Sequence, residues 1–136
     1  MTLLNYLVLY VIALGAFLAI DLTWLGFVAL GIYTGLMRDI LAPQPNWPAA
    51  LGFYALFVVG LIYFAIGPAV REGSLSTAML NGALYGLFTY ATYDLTNYAV
   101  LKGYPAAIVP IDIGWGVVLA FAVSSLTFFV HRALPL

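Results

Sequence analysis

Three aspartates, Asp21, Asp94 and Asp112, stand inside otherwise apolar stretches of this chain. A carboxylate near the middle of a membrane helix costs roughly 2.5–3.5 kcal/mol on insertion scales, so an acid kept there points first to function. Each is followed three residues later by an aromatic or polar residue: Trp24, Asn97 and Trp115. That spacing puts both members of a pair on one helix face. An indole N–H donates a hydrogen bond, and its ring attracts a cation. Tyr90, four residues before Asp94, adds a hydroxyl to the same stripe, and Thr23, Tyr93 and Thr96 are close in sequence.

No Lys, Arg or His interrupts these stretches. The acids therefore have no basic partner. Their charge must be relieved by protonation, by a shared proton or by a bound cation, and each route makes the site responsive to pH or to cations. The structural alternative is that the acids tie helices together. Such bonds stabilise membrane bundles by only about 0.6 kcal/mol on average, which does not offset the insertion cost of three acids.

Composition says where these acids reside. Of 136 residues, 65% are apolar and 7% charged, whereas a soluble domain carries about 25% charged residues. Four Lys+Arg and five Asp+Glu cannot coat a water-facing surface. A net charge of −1 gives no basic footprint, so no nucleic-acid partner is expected. The absence of cysteine excludes disulfides, thiolate metal sites and cysteine nucleophiles. No His-rich metal motif, G-x-S-x-G elbow or phosphate-binding loop occurs, so no metal site and no cofactor are expected. Ligation of a hard cation by Asp alone has no diagnostic spacing. The expected partners are the lipid bilayer and a small-molecule or cation ligand.

A membrane helix needs roughly 20 apolar residues. The runs predict an all-α integral membrane four-helix bundle in one domain, 1–136, with helices over about 3–30, 48–70, 76–101 and 105–130. All Lys and Arg fall in the connections or at the chain end. No Lys or Arg precedes the first run, which is too long for a signal h-region and reads as a permanent helix. Continuous apolar runs argue against a β-barrel, whose strands alternate. The face holding the N-terminus, face A, receives Arg71 and Arg132; the opposite face B receives Arg38 and Lys102. The basic count ties; the amino terminus and His131 tip face A toward the cytoplasm.

Two segments recur in order. Asp21-Leu22-Thr23-Trp24 matches Asp94-Leu95-Thr96-Asn97, and Trp47-Pro48-Ala49-Ala50 matches Tyr104-Pro105-Ala106-Ala107. This predicts two tandem helical hairpins, an internal repeat of the parallel kind seen in some transporters. Proline is expected to open the second helix of each hairpin, where its missing N–H costs nothing. Counted from Tyr33 to Asp21 and from Tyr104 to Asp94 and Asp112 at about 1.5 Å per residue, the acids should lie roughly 12–18 Å below face B, in one middle layer.

Other features carry less. Pro110 and the two glycines of Pro110-Ile111-Asp112-Ile113-Gly114-Trp115-Gly116 suggest a local helix break exposing carbonyls. Gly82-x-x-x-Gly86 permits close helix contact, inside the bundle or in a homodimer. Tyr33, Trp47 and Tyr104 read as interfacial anchors, Asn81 as a tie between helices, and His131 as a residue of the membrane edge.

On Asp21-Leu22-Thr23-Trp24, Tyr93-Asp94-Leu95-Thr96-Asn97 and Asp112-Ile113-Gly114-Trp115, the chain resembles a family of small bacterial inner-membrane proteins of unknown function, domain of unknown function family 2177. The resemblance covers nearly the whole chain. It implies four helices and the bacterial inner membrane, and it implies no activity and no site residues.

The expected function is binding or transport of a small solute, linked to protons or cations, through Asp21, Asp94 and Asp112 with Trp24, Trp115, Asn97 and Tyr90. The alternatives are a membrane enzyme using one Asp as acid and another as base on a lipid or isoprenoid, and a non-catalytic assembly subunit docking through Gly82 and Gly86. Acids near mid-depth favour transport. Acids near the interface, where a headgroup reaches, would favour an enzyme.

Overall fold

The computed structural model describes residues 1–136 and is all-helical. Helix α1 (Leu3–Thr23) begins where the Thr2 hydroxyl accepts the Asn5 N–H. It passes into a π-helical turn, Trp24–Val28, and then α2 (Leu30–Leu36). Asn46 caps α3 (Trp47–Leu61), which runs through a second π-helical turn, Ile62–Ile66, into α4 (Gly67–Glu72). Ser74 caps α5 (Leu75–Val100), and α6 covers Ile108–Ala133.

Leu3–Val28, Trp47–Glu72 and Ile108–Ala133 are each 26 residues long, with mean hydropathy of 2.3, 2.3 and 2.0. At about 1.5 Å per residue, such a helix exceeds a hydrocarbon layer of about 30 Å. Helix α5 has the same length but carries Asp94, two asparagines and four threonines, and falls short of that apolarity.

The inward faces of α1 and α5 follow four-residue stripes. On α1 the buried positions are Leu9, Ala13, Phe17 and then Asp21. On α5 they are Ala78, Gly82, Gly86 and then Asp94. Asp21 thus occupies the next inward position of its stripe, and Asp94 the second position on, beyond the partly buried Tyr90. The centre is built from Phe17, Val58, Leu61, Ile66, Leu119 and Val123 with their neighbours.

Helices α5 and α6 pack most closely and run antiparallel. Gly82 lies against Ala120 and Ser124, Gly86 against Gly116 and Ala120, and the Tyr90 ring against Gly116. The Gly82/Gly86 face is therefore occupied within the chain. Contacts from Asp21 to Trp115 and from Asn5 to His131 set α1 antiparallel to α6. The Tyr10 hydroxyl donates to the Ala55 carbonyl and the Arg71 guanidinium to the Tyr6 hydroxyl, setting α1 against α3–α4.

Pro68 explains the second π-helical turn. It has no N–H for the carbonyl four residues earlier, that of Phe64, and its ring crowds that carbonyl. The helix widens just before it, and Asn81 Nδ2 donates to the Phe64 carbonyl at 3.1 Å. Asn81 is thus a tie between helices, as expected.

Several boundaries differ from expectation. The first helical stretch continues beyond residue 30 to Leu36 through the π-turn. Pro48 lies in the first turn of α3, but Pro105-Ala106-Ala107 form a turn ahead of α6, which starts at Ile108. The break expected at Pro110 is absent. Pro110 is the third residue of α6, inside the first turn, where backbone N–H groups have no helical partner to lose.

A side chain at Gly86 would run into the backbone carbonyl of Gly116. Gly86→Leu should therefore lower stability in detergent by about 1–3 kcal/mol, typical of overpacking. Gly52→Ala, where the added carbon meets open space, should stay within about 0.5 kcal/mol of the parent. Thermal unfolding followed by circular dichroism checks both; equal midpoints would refute the close α5–α6 contact.

Candidate functional site

The π-turn in the first helical stretch organises one side of the site. At about 100° per residue, positions 24 and 33 of an unbroken α-helix point in opposite directions. The wide turn over Trp24–Val28, closed by a 2.7 Å bond from the Ala29 N–H to the Trp24 carbonyl, alters that phase. Trp24 and Tyr33 then meet, with the indole Nε1 donating to the Tyr33 hydroxyl at 3.4 Å. The Tyr33 hydroxyl donates onward to Asp112 Oδ1 at 2.8 Å.

Helix α6 supplies the reciprocal contact. Trp115 Nε1 donates to Asp21 Oδ1 at 2.9 Å. The Trp24 and Trp115 rings are stacked, 4.4 Å between centroids and 7° between planes. The two Asp–Trp pairs at three-residue spacing thus serve each other across the helix contact. Trp115 satisfies Asp21, while Trp24, through Tyr33, supports Asp112.

Asp94 has its own arrangement. Gly103, with φ of 80°, turns the α5–α6 connection back toward the interior. That brings the buried Tyr104 hydroxyl to Asp94 Oδ1 at 2.8 Å. Burial, and then the Asp94 carboxylate, hold the Tyr104 phenol well above its ordinary range, so it stays a donor at neutral pH. Asp94 is wholly buried; its Oδ2 has no hydrogen-bond donor, and its carboxyl group neighbours that of Asp112.

A cavity of about 350 Å³ unites much of this. Asp21, Asp112, Trp24, Trp115 and Tyr90 line it, together with Tyr33, Tyr54 and Phe53. The Tyr54 hydroxyl lies beside Asp21. Asp94 stands behind the wall, against Asp112, and Asn97 is outside the lining, near the Tyr93 and Tyr104 hydroxyls. No group of three acids or histidines is placed to hold a metal ion. A wider recess of about 630 Å³ on the outer side of α5 holds no charged side chain.

Two expectations change. Tyr33 and Tyr104 are not outward anchors but donors to Asp112 and Asp94, because a bent helix exit and a glycine turn fold them inward. Trp47 is half exposed and free of the site. Asp94 and Asp112 lie nearer the ends of their helices than expected. Asp112 is four residues from the start of α6 and Asp94 six from the end of α5, about 6 and 9 Å along the axes. Tyr33 and Tyr104, from which the expected depth is counted, both turn inward to the acids. Thr23 and Thr96 return their hydroxyls to their own helix carbonyls and take no part. His131 pairs with Asn5 at the opposite end.

Apolar helices of spanning length around a carboxylate-lined aromatic cavity define an integral membrane protein with an acidic interior. The chain belongs to domain of unknown function family 2177, described as a predicted membrane protein, whose family model matches residues 6–129. No curated protein and no solved structure matches the chain.

If Tyr104 is the donor that satisfies Asp94, Tyr104→Phe should cost about 1–3 kcal/mol, the range for a buried acceptor left unpaired. Tyr98→Phe, at an exposed position on the same helix, should be neutral. Unfolding midpoints of the two purified variants give the comparison, and an unaffected Tyr104→Phe would remove the inward tyrosine from the site.

Proposed function

We propose that this protein is a four-helix transmembrane bundle of the bacterial inner membrane that binds or transports a small solute with proton linkage at the Asp21–Asp94–Asp112 site. One observation carries the reading: the cavity that exposes Asp21 and Asp112 to a single space, with Asp94 directly behind and no basic side chain in its lining. The equal length of α5 and its antiparallel packing on α6 support counting it as the fourth span. The shared order of Asp-Leu-Thr and Pro-Ala-Ala segments supports tandem duplication, although the second helices of the two halves start differently at their prolines.

The chemistry follows from two facing carboxyl groups in a poorly solvated place. Two neighbouring like charges repel, and a proton shared between the Asp94 and Asp112 carboxyls would remove the repulsion and could give the unpartnered Asp94 Oδ2 a hydrogen bond. Asp112 also faces the cavity. A solute arriving there changes what the shared proton experiences, and that is a physical link between solute and proton.

The position of Asp94 and Asp112 near their helix ends favours a second reading, a membrane enzyme acting on a lipid, with that pair as acid and base. Assembly through the Gly82/Gly86 face loses its basis, since α6 covers that face.

Asp94→Asn tests the leading reading. The change keeps size and hydrogen-bonding capacity and relieves an insertion penalty, so the fold should survive with an unchanged or higher unfolding midpoint. Potentiometric titration of the purified protein over roughly pH 5–9 should show a proton bound by the parent and missing from the variant. An unfolded Asp94→Asn would make the acid structural. Parent-like titration curves for Asp→Asn at all three positions would end the proton-linked site.

A further inference from the structure

We infer that the cavity takes a small substituted ammonium ion, seated between the carboxylates of Asp21 and Asp112 and the surrounding aromatic rings. This rests on the solute-binding reading above and names the chemical class of the solute.

The lining makes the selection. Seven of the twelve residues around the 350 Å³ space are aromatic, and its charged groups are two carboxylates. The volume falls in the range of small-molecule sites, about 300–1,000 Å³. No lysine, arginine or histidine lines it, so an anionic solute meets only like charge. Three of the lining donors are already engaged, Trp115 on Asp21, Trp24 on Tyr33 and Tyr33 on Asp112, and the hydroxyls of Tyr90 and Tyr93 are carried on aromatic rings rather than grouped as a sugar or another acceptor-rich neutral molecule would need. What the space mainly offers is negative charge and ring surfaces, edged by a few tyrosine hydroxyls.

Inorganic cations fit poorly. Calcium takes six to eight oxygen ligands and magnesium near-ideal octahedral oxygen geometry. Here no three acids converge, and most of the wall is hydrocarbon. An alkylated ammonium asks for the reverse. Its charge is spread over C–H groups that rest on aromatic faces, which aromatic cages exploit, and a carboxylate at one side balances the charge. The wholly buried, donor-less Oδ2 of Asp94 behind Asp112 is an independent sign that this interior is built to accommodate positive charge, as proton or as cation. With the ammonium beside Asp112, the negative charge there is neutralised by the ligand, and the proton shared with Asp94 can leave to water with overall charge conserved.

The experiment uses intact protein in detergent carrying Trp47→Phe, a half-exposed residue outside the cavity. The two remaining tryptophans, Trp24 and Trp115, both line the site and report on it. The probes are choline and 3,3-dimethylbutan-1-ol, which has the same shape with carbon in place of the charged nitrogen, at constant sodium chloride. Choline should change the fluorescence saturably and bind at least about tenfold more tightly than the alcohol. Asp21→Asn should weaken choline about tenfold or more and leave the alcohol unchanged, with circular dichroism confirming the fold. Asp112→Asn provides the same test should Asp21→Asn fail to fold.

Equal or tighter binding of the neutral alcohol overturns the ammonium assignment, as does no choline response at all. The Asp94-dependent titration separates the two levels. If it persists while choline fails, the acid site stands and only the ligand class is wrong. If it is absent as well, the solute-binding reading falls with it.

Discussion

Carboxylates buried in an apolar interior without a cation to answer them set the terms for the whole structure. The cost of placing them there is reduced by specific donors. Each acid accepts on Oδ1 from one aromatic side chain: Trp115 for Asp21, Tyr33 for Asp112 and Tyr104 for Asp94. Aromatic donors suit this place because one end is apolar and the other hydrogen-bonds. An arginine or lysine would neutralise the acids permanently. Indoles and phenols stabilise the carboxylate while leaving its charge to respond to a proton or a ligand.

That requirement explains local irregularities that would otherwise be defects. The π-helical turn after Thr23 gives up regular hydrogen bonding, and in return Trp24 and Tyr33 converge on one partner. Gly103 folds a connection inward that would otherwise lie at the membrane surface. The second π-turn answers a different demand, the missing N–H of Pro68, and Asn81 takes up the freed carbonyl. Small residues permit the close approach of α5 and α6 that holds Asp94 beside Asp112. Gly82, Gly86 and Gly116 form that contact, and any of them enlarged would separate the two acids.

The helices and the inward aspartates were legible in the chain. Long apolar runs with charges only between them mark helices in lipid, because hydrocarbon leaves a backbone no other partner. Asp21 and Asp94 stand inside such runs with no Lys, Arg or His beside them, and an acid in that setting is expected to face the interior. The glycine face of α5 was legible too, though not its partner. Tyr33 and Tyr104 were misread. A tyrosine near a helix end is compatible with both an outward anchor and an inward donor, and the choice depends on the path of the connection. The expected depth of Asp94 and Asp112 fails for the same reason, since it is counted from Tyr104.

What the sequence by itself determined is therefore class and cast: a helical membrane protein, three unanswered acids, and aromatic residues at helical spacing from them. These follow from local periodicity and the cost of charge in lipid, both one-dimensional properties of the chain. Only the tertiary structure decided the pairing. Trp115 serves Asp21 from 94 residues away and Tyr33 serves Asp112 from 79, while Asp94 lies behind the cavity rather than in its wall. Such choices depend on how helices rotate and lean against one another. A wide turn at Trp24, a left-handed glycine at Gly103 and glycine contacts between α5 and α6 set those angles together, and no single stretch of sequence contains them.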